Sequence, residues 1–230
     1  MKARQRSADL IEQALGRGRT SLSEHESKEI LRAYAIPVTR EREARDEAAF
    51  RQALAEIGFP AVVKACGPDL SHKTEQGLVY LNIMGEGQAL DAFAEISEKI
   101  GGGEAAVLVQ EMVPGQRELM AGFIRDGQFG PCVMFGLGGL FAEVFNDVSF
   151  RLAPLEKADA LDMLEEIRAH GLLGPVRAMP AADKEQLARI LVKMGLIGLD
   201  HPAIKEIDVN PLILAGSRAV AVDALIVLNP

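Results

Sequence analysis

The sequence predicts an α/β protein built as two subdomains, because short apolar runs of strand type alternate with stretches of helical period. Two further observations agree. A chain of 230 residues, 48% of them hydrophobic, suffices for one large domain or two modest ones, each with its own core. The 22 glycines and 11 prolines fall largely between the apolar runs, where tight connections are needed. Aromatic residues are only 5% and Trp is absent, so the core must rest on Leu, Ile, Val and Ala.

Taken in order, residues 1–20 suit a short helix through Ala8, Ile11 and Leu15 that frays at Gly16-Arg17-Gly18-Arg19. Ser23 with Glu26 three positions on forms a capping box, and Ile30, Leu31 and Tyr34 give that helix an apolar side before Pro37 ends it. A helix over 46–57 follows, stopped by Gly58. Residues 61–65 and 78–83 read as strands, 87–99 as a helix and 106–112 as a third strand. Three short strands are then expected at 118–124, 131–135 and 142–146, helices at 156–169 and 184–195, and β segments at 204–209 and 219–228. Pro114-Gly115 breaks the pattern and sets a hinge near 110–115. The expected division is an N-terminal extension over 1–22, a first subdomain over 23–113 and a second over 114–230.

Composition excludes several classes. No run of 18 uncharged apolar residues exists, which removes a membrane span. The basic start is not followed by an apolar stretch, so a secretory signal is not expected and a cytoplasmic location is the default. A formal net charge of −8 argues against non-specific nucleic-acid binding but not against a nucleotide site, where a few local cations and a metal suffice. Cys66 and Cys132 lack metal-type spacing and sit beside apolar residues, as buried free thiols do.

Three clusters carry chemistry. Lys64 interrupts the apolar strand Ala61–Ala65, so its ammonium either snorkels from a strand edge or reaches an anion, a carboxylate or a phosphate. His72 follows in the polar run Ser71-His72-Lys73, where an imidazole can be a nucleophile toward phosphorus, an acid–base group or neither. In the second cluster, Glu206, Asp208 and Asn210 share one face of a strand, and a hairpin-like return brings Asp223 near Asn210. Such oxygen ligands suit Mg2+, which keeps waters and bridges to phosphates, although a solvated edge strand would look similar. The third is Gly136-Leu137-Gly138-Gly139, which lacks both the Walker A ending and the GxGxxG spacing. It is either a turn offering N–H groups to phosphate or a tight loop between strands. Glu111, Met112 and Val113 end a strand in a way that suits an adenine pocket, and Glu118 lies just past the hinge.

With these residues in view, the chain resembles the ATP-grasp domain, or beta subunit, of ADP-forming acetyl-CoA synthetases, relatives of succinyl-CoA synthetase. The resemblance runs from Ser23 to Leu228. It is carried by Val63-Lys64 with Pro68–Thr74, by Val109–Met112, Gly130–Gly139, Asp147–Leu155 and Leu172–Arg177, and by Glu206–Pro211 with Ala221–Ala224. It implies two α/β subdomains gripping ATP or ADP. In that likeness Lys64 contacts phosphates, Gln110, Glu111, Met112 and Val113 border the adenine, and Glu118 binds the ribose. Asn210 and Asp223, with Asp208 nearby, hold Mg2+, and His72 carries a phosphoryl group between distant sites. The glycine-rich loop and Arg151 lie near the phosphates or shape the cleft wall.

The resemblance also implies an alpha-type partner subunit bringing CoA-binding and phosphohistidine domains, since neither is expected in this chain. Two departures stand out: Glu75-Gln76-Gly77 where the family often has adjacent glycines, and Ala178 where it commonly has glycine. Two other readings stay open. One is an ATP-grasp carboxylate ligase using a free acyl phosphate, which has no use for His72; the other is a non-catalytic nucleotide-binding subunit.

Overall fold

The computed structural model describes residues 2–68, 70, 73, 76–101, 105–139 and 147–229. His72 and the strand expected at 142–146 lie outside the described residues. Helix α1 (Lys2–Gly16) is followed by α2 (Glu24–Ala33), β1 (Glu41–Ala44), α3 (Glu47–Ile57), β2 (Ala61–Cys66), β3 (Val79–Ile83), α4 (Glu86–Ile100) and β4 (Ala106–Glu111). The second half carries β5 (Glu118–Asp126), β6 (Gly130–Leu137), β7 (Val148–Leu152), α5 (Lys157–Glu166), α6 (Lys184–Asp200), β8 (Ile204–Ala215), β9 (Arg218–Ala221) and β10 (Leu225–Leu228). Among the described residues no helix is long and apolar enough to cross a membrane.

Helix starts are where the caps put them. Ser23 Oγ accepts from Glu26 N at 3.2 Å while Glu26 Oε2 accepts from Ser23 N at 2.8 Å, closing the capping box. Asp46 and Asp183 cap α3 and α6 through a single bond each, accepting from Ala49 N and Gln186 N. Two strands were not anticipated. β1 is too charged to read as a strand and exists through its pairing with β4, and β7 exists through its pairing with β6. β8 runs six residues past its expected end at 209, and the single segment expected at 219–228 is two strands. β9 pairs with the second half of β8 and β10 with the first, leaving Val222-Asp223-Ala224 between them.

The strands form two antiparallel sheets, one of four strands in the order β1-β4-β2-β3 and one of six, β10-β8-β5-β6-β7 with β9 on β8. Strand alternation gives the smaller sheet two characters. Val63, Ala65, Val107 and Val109 pack into a core with Phe50 and Leu54 of α3 and Ala89 and Ile96 of α4. Val62, Lys64, Leu108 and Gln110 take the opposite face, with Val62 opposite Gln110 and Lys64 opposite Leu108. The larger sheet packs Leu119, Phe123, Val133, Phe135 and Ile207 against Met163, Leu187, Leu191 and Met194 of α5 and α6. Gly198 permits that contact, because a Cβ there would lie 2.1 Å from the Phe123 ring.

Ile11, Leu22, Ile30 and Leu31 join this larger core, so α1 and α2 pack with the second half of the chain although they precede the first. Each such buried side chain contributes about 1.5–3 kcal/mol, which fixes the helix to the larger sheet. The start of α2 is thereby held at the junction between the two sheets.

Candidate functional site

Two cavities lie at that junction and share one residue. A cleft of about 260 Å³ is lined by Val62, Lys64, Val79, Leu81, Gln110, Met112, Val113, Gly115, Glu118, Pro211, Ile213, Val222 and Asp223. A second, of about 290 Å³, is lined by Leu22, Glu24, Gly67, Leu70, Lys73, Asp208, Asn210, Asp223, Ala224 and Leu225. Asp223 lines both, in the break between β9 and β10. The structure therefore brings Lys64, Met112, Val113, Gln110 and Glu118 to one side of Asp223 and Asp208 and Asn210 to the other. Glu111 is not brought in. Its carboxylate accepts from Arg40 N and Arg40 Nε, each at 2.8 Å, which turns it toward β1.

Lys64 is fully buried and does not snorkel. Its Nζ meets Glu24 Oε1 at 2.5 Å and donates to Val222 O at 3.3 Å. Lys28, also without exposure, donates to Glu24 Oε1, Glu41 Oε2 and Gln110 Oε1, each at 2.7 Å, and to Thr39 Oγ1 at 3.1 Å. Lys73 pairs with Glu24 Oε2 and reaches Asp223 Oδ2 at 3.2 Å. Burial pushes the Glu24 carboxyl up, but Lys28, Lys64 and Lys73 together hold it well below the usual carboxylate range. Burial lowers the Lys64 ammonium despite Glu24, while Glu24 and Asp223 raise that of Lys73 against its own burial. Neither Glu24 nor Lys28 was legible as part of a site. Both are charged residues on an amphipathic helix, and the one signal was a Lys four residues after a Glu.

The opposite wall has the reverse sign. Asp208 is pushed up to about 6 by burial and by Glu206 and Asp223, and Asp223 is raised by burial and by Glu24. Asn210 Oδ1 accepts from Gly139 N at 3.0 Å and retains a further lone pair. Two carboxylates whose charge is disfavoured chiefly by burial, beside a neutral amide oxygen, form a set of hard oxygen donors that a divalent cation would relieve, so these residues fit Mg2+. Among the described residues no three His, Cys, Asp or Glu side chains converge as a closed metal cage.

The glycine-rich segment shapes the wall rather than offering free donors. Gly138 N donates to Glu118 O at 2.9 Å and Gly139 N is taken by Asn210. At Gly139, with φ +63°, a Cβ would fall 1.9 Å from Glu118 Oε2. Arg151 does not reach the cleft. It pairs with Glu166 at 2.9 Å and lines a surface groove with Phe129 and Phe150 on the outer part of the larger sheet. Cys66 and Cys132 are buried free thiols, and burial pushes Cys66 up to about 12.

Similarity to known proteins extends over nearly the whole chain. The ATP-grasp domain family model matches residues 13–228. The beta subunit of ADP-forming acetate–CoA ligase I of Pyrococcus furiosus is 43% identical over 225 residues, covering 96% of this chain and 97% of that one. The dinucleotide forming acetyl-coenzyme A synthetase 1 of Ca. Korarchaeum cryptofilum, solved with coenzyme A, Ca-AMPCP and HgCl+, superposes with a TM-score of 0.91 at 42% identity, covering 97% of this chain and 100% of that chain. The same synthetase solved with coenzyme A and Mg-AMPPCP, its phosphohistidine segment pointing towards the nucleotide binding site, gives a TM-score of 0.86 at 43% identity, over 97% and 100% of the two chains. With two antiparallel sheets enclosing a lysine on one wall and carboxylates on the other, this chain belongs to the ATP-grasp domain family, among the beta subunits of ADP-forming acetate–CoA ligases.

Proposed function

We propose that this chain is the nucleotide-binding subunit of an ADP-forming acyl-CoA synthetase and relays a phosphoryl group between ADP or ATP and an alpha-type partner through His72. The overall reaction is acid, CoA and ATP giving acyl-CoA, ADP and phosphate, reversibly. The observation that supports it most is the pair of cavities joined at Asp223, with a lysine wall on one side and an oxygen-donor wall on the other.

In this reading residues 23–113 with the His72 segment form one jaw and 114–230 the other, while α2 crosses to pack on the larger sheet. Met112 and Val113 border the adenine, with Gln110 behind them. Glu118, positioned by its contact with Gly139, accepts from the ribose. Lys64 meets the phosphates, where its buried ammonium stabilises a charge that solvent does not screen. Asp208, Asn210 and Asp223 would hold Mg2+, which neutralises phosphate charge when bound. A phosphoryl group brings about −1.5 to −2 charges, so Lys64 and Lys73 offset its repulsion from ADP. Holding the reactants in one cleft supplies much of the remaining rate by proximity.

The partner is an alpha-type subunit carrying the CoA and acyl sites and a second phosphohistidine. The Pyrococcus relative's designation as a beta subunit and the coenzyme A in both Korarchaeum structures support that assignment. The test is incubation with γ-labelled ATP and mapping of the label. Acid-labile, alkali-stable label on His72 is expected, lost in His72→Asn with Mg-ADP affinity kept within about twofold. Full thioester synthesis by His72→Asn with its partner would end the relay and favour a free acyl phosphate.

A further inference from the structure

The carboxylate of Glu24 is shared by three lysines, Lys28, Lys64 and Lys73. It is the first residue of α2, at 4% exposure, and it lines the same cavity as Lys73, Asp208, Asn210 and Asp223. One oxygen meets Lys64 at 2.5 Å and Lys28 at 2.7 Å, and the other pairs with Lys73. Lys28 does not depend on it, having Glu41, Thr39 and Gln110 as well. Lys64 does: among the described residues Glu24 is the one carboxylate in ion-pair contact with it.

We propose that Glu24 is a positioning residue for the phosphate subsite, an internal anion that holds Lys64 and Lys73 together and with which an incoming nucleotide phosphate must share them. The proposal rests on the reading of the cleft given above. Two ammonium groups held on one carboxylate, Lys64 from one cavity and Lys73 from the other, repel each other, and without a counter-ion each bears a desolvation cost that the protein must offset. Glu24 supplies the counter-ion from within, so the lysines are in place before nucleotide arrives. The same charge lowers the positive potential that a phosphate meets. Glu24 thus exchanges ground-state affinity for order.

The opposed signs make the role testable. Glu24→Gln keeps the shape and removes the charge, so ADP should bind about tenfold more tightly, as one fewer nearby anion implies at the effective dielectric of such sites. Adenosine, which lacks phosphate, should bind as it does to the wild type. Phosphoryl transfer to His72 should slow about tenfold or more, because the lysines lose their fixed places. Calorimetric titration of the full chain with ADP and with adenosine reads the first two, and Glu24→Asp, which keeps the charge, should stay near wild-type ADP affinity. ADP affinity that is unchanged or weaker in Glu24→Gln overturns the proposal.

Thermal melts report folding. Should Glu24→Gln not fold, Glu24→Ala, which removes the anion and leaves all three lysines, carries the same expectation, and failure of both to fold makes Glu24 a purely structural pair and overturns the proposal. Lys64→Gln separates the two levels. If it binds ADP like the wild type, Lys64 does not meet phosphate and the cleft reading fails; if it weakens ADP while Glu24→Gln changes nothing, the Glu24 role alone fails.

Discussion

The two walls of the cleft treat charge in opposite ways. On the lysine wall every ammonium has an anion within 3.3 Å, and Lys28 is satisfied four times over with no exposure at all. On the carboxylate wall burial raises both Asp208 and Asp223, with Glu206 and Asp223 adding to it at Asp208 and Glu24 at Asp223. The lysine wall is complete within the protein. The other is compensated in part, by Lys73, which among the described residues is the one lysine in ion-pair contact with it. The difference separates what the chain builds for itself from what it leaves to a ligand. Fully paired charges lock geometry, while carboxylates with less compensation than burial demands keep an affinity in reserve.

Breaking the complete wall should have the largest effect. Lys28→Met leaves Glu24 and Glu41 with less compensation in a dry site and should cost about 3–5 kcal/mol of stability, read by urea unfolding. Adding Glu41→Gln should recover part of that loss, since the two residues are directly paired at 2.7 Å. The acid side tests the same wall. Glu24 and Glu41 are both held below their ordinary value of 4.5, so the stability they contribute is present above about pH 4.5 and is lost as pH falls through their folded values. The melting temperature should therefore drop on acidification below that point, and less steeply in the Lys28→Met, Glu41→Gln protein.

On the open wall the expected loss is in binding rather than folding. Asp223→Ala removes the residue common to both cavities and should weaken Mg-ADP by about 10–100-fold or more, with little change in unfolding free energy, measured by calorimetry and denaturation side by side. Gly139→Ala tests the joint between Glu118 and Asn210. A non-glycine residue in this left-handed conformation costs about 1–2 kcal/mol, and the added Cβ must displace the Glu118 carboxylate, so nucleoside affinity should fall together with stability. The smallest effect is expected for Glu206→Gln. Asp208 should then titrate closer to its ordinary carboxylate range, by less than about one pH unit because burial is the larger cause, visible by NMR titration. An unchanged Asp208 would mean the wall is shaped by desolvation alone.

The sequence by itself determined whatever depends on neighbours within a few residues. The Ser23–Glu26 capping box, the caps at Asp46 and Asp183, the lone lysine of β2 and the one-sided row Glu206, Asp208 and Asn210 all follow from spacings of two, three or four, and each is present. The membership in the ATP-grasp family was legible too, because many short motifs occur in one order. What tertiary structure decided is which charges meet. Nothing within reach of Glu24 along the chain announces Lys64 or Lys73, Glu111 turns to Arg40 instead of the cleft, and Arg151 is taken by Glu166. α2 packs against the larger sheet because Ile30 and Leu31 bury there, and that apolar docking carries Glu24 to the junction. Local pattern sets which face a side chain takes; its partner across the molecule is set by long-range packing, for which a single sequence holds no periodic signal.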